Sequence, residues 1–228
     1  MLINKQWRVL TIGDGDLSFS ASIATHIKPK QLVATVYDSN VVLTEKYANQ
    51  SLDALVDANI SVLTGFDVTD KTTWQDLPPH SFDLVIFQFP LAPNNVTYQE
   101  HQKNSELGSS NTMNRWLLHR YLSHCFEYFL AVDGQRLAVI TSKDVKPYRQ
   151  WAIESSITQG LSAQYIGQVP FYVDDFPGYQ VRNVDRDRFV KETQAISYFY
   201  SDKMHPELTP QLTMPNYCDD DKFCPLCR

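Results

Sequence analysis

The sequence predicts an α/β domain with a mainly parallel sheet, helices on both of its faces and an antiparallel pair of strands at one edge. Short β-branched or apolar runs alternate with longer segments of helical spacing, which is the pattern of consecutive βαβ units. The last two predicted strands follow each other without an intervening helix, which favours the antiparallel pair. The chain has 228 residues, of which 43% are hydrophobic and 20% charged, enough for one domain with a substantial core.

The first half of the chain is predicted to hold four strands and two helices. The strands are short runs rich in β-branched and apolar residues, over 8–12, 32–37, 60–63 and 82–87. A helix over 17–28 starts with the hydroxyls of Ser18 and Ser20 and ends before Pro29. A second helix over 42–59 has four apolar residues at helical spacing on one face, namely Ala48, Leu52, Leu55 and Val56.

The second half begins with a long helix over 113–131, which Gly134 ends. One stripe of this helix is apolar and aromatic, with Met113, Trp116, Leu117, Tyr121, His124, Cys125 and Tyr128. A strand over 136–141 follows, and then a helix over 147–161 with Pro147 in its first turn, where proline is tolerated. The last two strands span 163–171 and 195–200. We assign residues 1–202 to the domain and 203–228 to an irregular tail.

Composition and charge exclude several classes of protein. The 20 basic and 26 acidic side chains give a net charge of −6, which argues against a broad basic face for nucleic acid but leaves room for a local groove. No apolar run approaches the roughly 18 residues of a membrane span. The N-terminus lacks a signal-peptide core, so we expect a cytoplasmic, reduced chain. Three of the four cysteines lie in the last eleven residues, unlike a secreted disulfide framework.

Glycines and acids follow the predicted strands in order, and they indicate a cofactor site. Gly13-Asp14-Gly15-Asp16 follows the first strand, Asp38 the second and Asp67 the third, while Gln88-Phe89-Pro90 follows the fourth. Ligands of such sheets bind beyond the carboxyl ends of the strands. Each element alone is as often a tight turn or a helix cap. The dinucleotide fingerprint has a third small residue three places after its second glycine, where this chain has Ser18 instead of glycine. S-adenosylmethionine is therefore the better match. The loop would lie at its aminocarboxylate, Asp38 at its ribose and Asp67 at its adenine.

Six segments in order resemble the Rossmann-like ribosomal RNA methyltransferase family, whose eukaryotic members include the enzyme that methylates N3 of a uridine in large-subunit ribosomal RNA. They are Val9–Ser20 (VLTIGDGDLSFS), Tyr37–Ser39, Phe82–Pro90 (FDLVIFQFP), Asn114–Arg115, Pro147–Trp151 and Pro177–Tyr179. The resemblance implies a class I methyltransferase-like Rossmann sandwich that binds S-adenosylmethionine. It also implies that Gln88-Phe89-Pro90 replaces the family's Asn-Phe-Pro beside the transferring methyl. The chain departs from the family after this motif, where Leu91-Ala92-Pro93 stands in place of a histidine and a nearby glycine.

Catalytic and substrate candidates lie around this motif. Asp16 is the first candidate near the transferring methyl, although an acid there also suits the start of a helix. Phe89 and Pro90 form a platform for a flat base, or alternatively a rigid strand exit. The resemblance makes Tyr179 and Arg182 candidate substrate contacts, with a tight turn at Pro177-Gly178 as the alternative. Arg115 is a further candidate for substrate or phosphate. The polar stretch 91–112 is predicted to be a substrate lid or a mobile insertion.

The C-terminal cysteines suggest a zinc knuckle. Cys224-Pro-Leu-Cys227 is a turn that brings two thiolates together, Cys218 could supply a third ligand and His205 a fourth. A reduced tail without metal is the alternative. Cys125 lies on an apolar helix stripe and is predicted to be a core thiol.

The sequence therefore predicts a methyltransferase that uses S-adenosylmethionine and acts on RNA, with N3 of a ribosomal uridine as the target that the resemblance implies. Two alternatives remain open from the residues. One is a methyltransferase for a small molecule or a protein, which the net charge of −6 favours. The other is a non-catalytic Rossmann-like binding module, for which a cofactor pocket filled by side chains would be the sign.

Overall fold

The computed structural model describes residues 2–47, 50–74, 77–92, 109–146, 148–182 and 194–214. Within these ranges one seven-stranded sheet has the order β3-β2-β1-β4-β5-β7-β6. The strands are β1 Arg8–Ile12, β2 Gln31–Thr35, β3 Ser61–Leu63, β4 Leu84–Gln88, β5 Leu137–Lys143, β6 Gln164–Phe171 and β7 Ala195–Ser201. β1 to β5 are all parallel to one another, and β7 runs antiparallel to both β5 and β6. The predicted mainly parallel sheet with an antiparallel edge pair is confirmed.

Four α-helices connect the parallel strands in the described ranges. They are α1 Ser18–Ser22, α2 Asn40–Lys46, α3 Gln50–Asp57 and α4 Ser110–His124. α1 continues as a π-helical turn over Ile23–Ile27, and α4 continues as another over Cys125–Phe129. The single helix predicted over 42–59 is two helices, because Tyr47 takes an extended conformation that ends α2. None of these helices has the length and apolar composition needed to cross a membrane.

The helix predicted over 147–161 is wrong. Only Tyr148–Trp151 forms a 3₁₀ turn, and the following residues form consecutive turns. Ala152 has a φ of +47°, which breaks the helical path. The carbonyl of Trp151 accepts the side chains of Arg115 (Nε, 3.2 Å) and Ser156 (Oγ, 2.8 Å), so side chains take the place of a helical N–H. Ile153 and Ile157 are nevertheless buried, in a loop of consecutive turns.

The sheet has an apolar core on each face because its central strands are mostly apolar and are buried on both faces. Alternate residues of β1 and β4 share a face, so Val9, Leu84 and Ile86 pack with Phe19 of α1. The residues between them pack with α4 on the other face. This second set comprises Leu10, Ile12, Val85, Phe87, Leu118, Tyr121 and Leu122. Both faces of β4 are fully buried, as its continuous apolar sequence predicts.

The order of the strands reverses between β1 and β4, and this junction positions the site. Ile12 pairs with Phe87 in the parallel ladder, so the residues that follow each strand, Gly13 and Gln88, emerge side by side. At the opposite end Asp83 accepts the backbone N–H and the guanidinium of Arg8 at 2.8–3.0 Å, which locks this register. A crevice is expected where the order reverses, at the carboxyl ends of the strands.

The described part of the tail packs on the sheet. His205 and Leu208 are buried, and Thr213 exchanges two backbone hydrogen bonds with Gln168 of β6 at 2.8 and 2.9 Å. Gly167 permits this approach, since a Cβ there would lie 2.7 Å from the Cβ of Leu212. The domain boundary at residue 202 stays a prediction.

Candidate functional site

An open cavity lies at the carboxyl ends of β1 to β4, where the strand order reverses. Most residues predicted to bind cofactor or substrate border it, namely Gly13, Asp14, Gly15, Asp16, Asp67, Gln88, Phe89, Pro90, Tyr179 and Arg182. The rest of the lining comes from the ends of β1, β2 and β4, the stretch after β3, the segment after β6 and α4. These residues are Ile12, Tyr37, Phe66, Val68, Thr69, Phe87, Leu91, Ala92, Met113, Trp116, Leu117 and Gln180.

The loop after β1 brings backbone close to the cavity. Gly13 has a φ of +61°, and a Cβ there would lie 2.9 Å from Cε2 of Phe87, so only glycine fits. Asp14 turns inward, where its Oδ2 accepts the backbone N–H of Ser20 at 2.6 Å. Burial raises the pKa of the Asp14 carboxyl to about 6, against the opposing effect of the hydrogen bonds from Ser20. Asp14 therefore fastens the loop to α1.

Asp16 is held at both carboxylate oxygens. Its Oδ1 accepts the backbone N–H of Ser18 at 3.1 Å in the turn that precedes α1. Its Oδ2 accepts Nε of Arg182 at 2.7 Å in an ion pair that is largely shielded from solvent. Asp16 therefore precedes the first turn of α1 instead of lying in it, and its ion pair with Arg182 joins the loop after β1 to a segment far away in the sequence.

The segment 176–182 docks on the beginning of α1, and this docking brings Tyr179 and Arg182 to the cavity. Gln180 donates its backbone N–H to Oγ of Ser18 at 2.9 Å. The ring of Phe19 lies 5.0 Å from that of Phe176 and 5.1 Å from that of Tyr179. Burial, and then the charges of Asp14 and Asp16, raise the pKa of Tyr179 well above its ordinary value. Its hydroxyl therefore stays protonated and able to donate.

At the end of β2, the surroundings of Asp38 differ from those that the sequence predicts. Both oxygens of Asp38 bind Nζ of Lys46, at 3.1 and 2.9 Å, and Asp38 does not border the cavity. Its neighbour Tyr37 does border the cavity and is 49% exposed. Partial burial and the charges of Asp67 and Asp38 raise the pKa of the Tyr37 hydroxyl.

The stretch after β3 is held in a fixed shape. Oδ1 of Asp67 accepts both the backbone N–H and Oγ1 of Thr69 at 2.7 Å. The indole of Trp74 donates to the Asp67 carbonyl at 2.9 Å. From α4, Nδ1 of His124 donates to the Val68 carbonyl at 2.7 Å, and burial lowers the pKa of this histidine. The wall formed by Asp67 and Val68 is therefore preorganised.

The exit of β4, residues 89–92, has an unfavourable backbone conformation that hydrogen bonds hold in place. Phe89 has a φ of +47°, which is costly for a residue other than glycine, and its N–H donates to the Thr141 carbonyl at 2.8 Å. The centroid of its ring lies 5.8 Å from that of the Phe171 ring, in an edge-to-face arrangement. Pro90 is buried, and the N–H of Ala92 donates to Oδ1 of Asn114 at 2.9 Å. Backbone strain of this kind is typical of functional sites.

Arg115 lies away from the cavity. Its guanidinium donates to the carbonyls of Trp151 and Gln150, at 3.2 and 2.5 Å, and so fastens α4 to the turn that follows β5.

The predicted zinc ligands are divided between described and undescribed residues. Cys218, Cys224 and Cys227 lie outside the described residues. His205 is buried, with Nε2 at 2.9 Å from Oγ of Ser201 and Nδ1 at 3.3 Å from Glu207. The described ranges contain no cluster of three or more histidine, cysteine, aspartate or glutamate side chains that could hold a metal. Cys125 is a fully buried free thiol, as predicted.

Several cavity residues were missed from the sequence. Met113, Trp116 and Leu117 belong to the apolar and aromatic stripe of the predicted helix and were not named as site residues, but all three border the cavity and Trp116 is 51% exposed. Tyr37 was overlooked beside Asp38. The position of Tyr37 at the end of a strand was the available signal. The lid predicted over 91–112 falls mostly on 93–108, outside the described residues.

Comparisons with known proteins agree with this geometry. The model of the BMT5-like family, described as rRNA (uridine-N3-)-methyltransferase BTM5-like, matches residues 10–183. Heavy metal-associated isoprenylated plant protein 41 of Arabidopsis thaliana is 27% identical over 190 residues, covering 79% of this chain and 34% of the relative. The chain thus spans about a third of the length of that curated relative.

Solved structures share the fold at low sequence identity. A methyltransferase from Pyrococcus furiosus has a TM-score of 0.50 at 12% identity, over 89% of this chain and 78% of that one. A predicted O-methyltransferase from Agrobacterium tumefaciens has a TM-score of 0.50 at 14%, over 88% and 76%. Spermidine synthase in complex with the transition-state analogue AdoDATO has a TM-score of 0.52 at 13%, over 93% and 62%. The fold is that of the class I methyltransferases.

Proposed function

Because the chain belongs to the BMT5-like family of rRNA (uridine-N3-)-methyltransferases, we propose that it methylates N3 of a uridine in ribosomal RNA. The proposal covers the S-adenosylmethionine-dependent class I methyltransferase activity as well as the target base and atom. One observation carries it: a single cavity brings together the glycine loop after β1, Asp67 after β3 and Phe89-Pro90 after β4. These are the three places where a methyl donor and a flat acceptor would have to meet.

The residues of the cavity fit S-adenosylmethionine. The absence of a side chain at Gly13 leaves a cradle, since a Cβ there would lie 2.9 Å from Cε2 of Phe87. Asp14, Asp16 and Asp67 give the lining three carboxylates beside one cation, Arg182, which suits a ligand with a sulfonium and an ammonium group. The loop Gly13–Asp16 would hold the aminocarboxylate and Asp67 the adenine amino group. Once bound, the cofactor supplies an electrophilic methyl group.

Asp38 remains the proposed ribose contact. Its carboxylate lies at the end of β2, where the acid of a dinucleotide or nucleoside site stands. The ribose diol would share this carboxylate with Lys46, whose ammonium is 2.9 Å away. Gln88 is buried beside the cavity, where its amide would orient the methionyl part of the cofactor or the base.

On the substrate side, the site requires a hydrogen-bond donor that stabilises the uridine anion. Transfer to N3 forms an N–C bond, breaks the sulfonium C–S bond and releases the N3 proton to solvent water, so negative charge develops on the base as the proton leaves. Arg182 borders the cavity, and Asp16 holds its guanidinium in place. We assign the stabilisation of that charge to Arg182, which Asp16 orients, and we assign to Tyr179 the role of a hydroxyl donor. Phe89 and Pro90 would form the platform on which the base lies.

The alternatives are less well supported. The cavity is open instead of being filled by side chains, so the condition set for a non-catalytic module is not met. The acidic lining matches the positive charge of the cofactor and does not require a substrate other than RNA.

Isothermal titration with S-adenosylmethionine tests the cofactor first. Asp38→Ala is expected to weaken binding at least about tenfold, since hydrogen bonds to a charged group contribute about 1.5–3 kcal/mol. Asp57→Ala, an exposed acid at the end of α3, is the control and should bind like wild type. No heat and no thermal shift with wild type would overturn the cofactor assignment.

Methyl transfer to unmodified ribosomal RNA then tests the target. The methylated nucleoside is identified by digestion and mass spectrometry, and 3-methyluridine is expected. A methylated RNA nucleoside of another kind would contradict the uridine proposal and leave the enzyme class intact.

We also propose that Cys218, Cys224 and Cys227 bind one structural zinc ion, supported by the spacing of the cysteines. His205 could complete the site only by giving up a bond to Ser201 or Glu207.

A further inference from the structure

Asn114 is a buried amide that joins two walls of the cavity. It lies on α4 between Met113 and Trp116, which line the cavity, and is 5% exposed. Its Oδ1 accepts the N–H of Ala92 at 2.9 Å, and its Nδ2 donates to the carbonyl of Ser110 at 2.7 Å. One side chain thus bonds both of the described chain ends that flank residues 93–108.

The bond to Ala92 is one of two that fix the exit of β4. The other is the N–H of Phe89, which donates to the carbonyl of Thr141 in the neighbouring strand at 2.8 Å. Between these two points lie only Pro90 and Leu91, so the path of the backbone past the cavity is determined at both ends. This path includes the unfavourable φ of +47° at Phe89, which persists only where neighbouring contacts impose it.

Asparagine is a poor choice for this position on local grounds. It has a low helix propensity, and its bond to Ser110 is an i−4 contact that competes with the helical N–H. Burying an amide also costs free energy unless its donor and its acceptor are both satisfied. Asn114 satisfies both, and only an amide of this length offers a donor and an acceptor in these directions. A local choice that is unfavourable but fully bonded is typical of a functional site.

We propose that Asn114 is a positioning residue for methyl transfer, which holds Phe89 and Pro90 in the conformation that presents the acceptor base. The inference rests on the function proposed above. Asn114 acts through the backbone it bonds and need not touch cofactor or substrate. It should therefore affect kcat and leave the affinity for S-adenosylmethionine nearly unchanged.

The kinetic test compares three variants of the full chain. Asn114→Leu removes both bonds, keeps the number and branching of the side-chain heavy atoms, and should lower kcat at least about 30-fold, because small misplacements near a reacting centre can cost about a hundredfold. Asn114→Asp keeps the acceptor for Ala92 and should recover activity to within about fivefold of wild type. Asn111→Leu is the matched control, since Asn111 on the same helix also accepts one bond (Trp151 Nε1, 3.2 Å) and donates another (Gln150), but these bonds go to the turn after β5 instead of to Ala92.

Two measurements separate positioning from general stability. The Kd for S-adenosylmethionine should stay within about threefold of wild type in all three variants. Amide hydrogen exchange at Ala92 should accelerate at least about tenfold in Asn114→Leu and stay unchanged in Asn111→Leu, because only the former frees that N–H.

Three results would overturn the inference: a kcat within threefold of wild type for Asn114→Leu, an equal loss for Asn111→Leu, or unchanged exchange at Ala92. A wild-type enzyme that methylates no RNA would instead refute the proposed function. The exchange experiment would still show whether Asn114 holds the exit of β4.

Discussion

Arg182 donates to Asp16 across 2.7 Å, and this ion pair joins residues that are 166 positions apart in the sequence. It fastens the segment after β6 to the loop after β1, so cofactor and substrate candidates share one rigid unit. Arg182 also lies 5.6 Å over the ring of Tyr47 at the end of α2. The contact explains how Tyr179 and Arg182 reach a cavity built mainly from the first half of the chain.

A double-mutant cycle should show that the pair acts as one unit. Asp16→Asn and Arg182→Gln are each expected to lower kcat for RNA methylation at least tenfold. The double variant should be no more than about threefold worse than the poorer single variant, since each substitution already breaks the same contact. The measurement is steady-state methylation under saturating S-adenosylmethionine.

The exposed pair between Arg149 and Asp144 provides the comparison for this cycle. It has a similar distance of 2.7 Å, but the side chain of Arg149 is 45% exposed. Arg149→Gln should leave kcat within about twofold, as exposed pairs contribute little. Additive losses for Asp16 and Arg182 would mean that the two residues act independently.

Gly13→Ala should abolish measurable binding of S-adenosylmethionine. The new Cβ would meet Cε2 of Phe87 at 2.9 Å, and the backbone would keep an unfavourable φ of +61°. Gly160→Ala separates the two effects, because Gly160 has a φ of +79° with no atom within 4 Å of a Cβ. Both variants should lose about 1 kcal/mol of stability from the backbone, but only Gly13→Ala should lose the ligand. Calorimetry and chemical denaturation measure the two quantities, and equal affinities in both variants would contradict the assignment of the loop.

The stability of the free protein should fall as pH rises from about 4 through 6. Asp14 has a native pKa of about 6 against an ordinary value of 3.8, so the folded state binds this proton more tightly than the unfolded state. The stabilisation is complete below pH 3.8 and is lost as pH rises through 6, and the difference amounts to about 3 kcal/mol. Urea titrations at several pH values measure the free energy of unfolding.

Asp14→Asn should lack this part of the pH dependence, because it has no carboxyl to titrate. Asp57→Asn, at an exposed position, should retain the wild-type profile. Identical profiles for wild type and Asp14→Asn would show that the buried carboxyl keeps an ordinary pKa.

Metal analysis of the purified chain should find about one zinc ion per molecule, bound by the three C-terminal cysteines. Cys224→Ser should remove the metal. His205→Ala tests the fourth ligand, and retention of zinc in that variant would exclude the histidine. A metal-free wild-type protein would contradict the knuckle.

Local patterns were sufficient for the strands and for the loops that follow them. The runs that became β1, β4 and β5 are continuous and apolar because these strands are buried on both faces, and such runs carry a strong signal. Once parallel order is assumed, their carboxyl ends must share one edge of the sheet. The clustering of Gly13, Asp67 and Phe89 followed from that rule.

The helix predicted over 147–161 was wrong because a different backbone path buries its apolar residues. Ile153 and Ile157 are buried at helical spacing, but in consecutive turns, since spacing reports which residues are buried and not which path places them. The stripe of α4 likewise could not show that Trp116 leaves the core and faces the cavity.

The sequence by itself determined the α/β class, the places where strands end and the chemical character of the loops there, because these depend on neighbouring residues. Only the tertiary structure decided that Lys46 binds Asp38, that Arg182 binds Asp16 and that Asn114 holds Ala92. Whether such a hydrogen bond forms is decided by differences of a few tenths of an ångström in the distance between donor and acceptor atoms of different elements. Those distances are set by how helices and strands pack, and no local pattern encodes them.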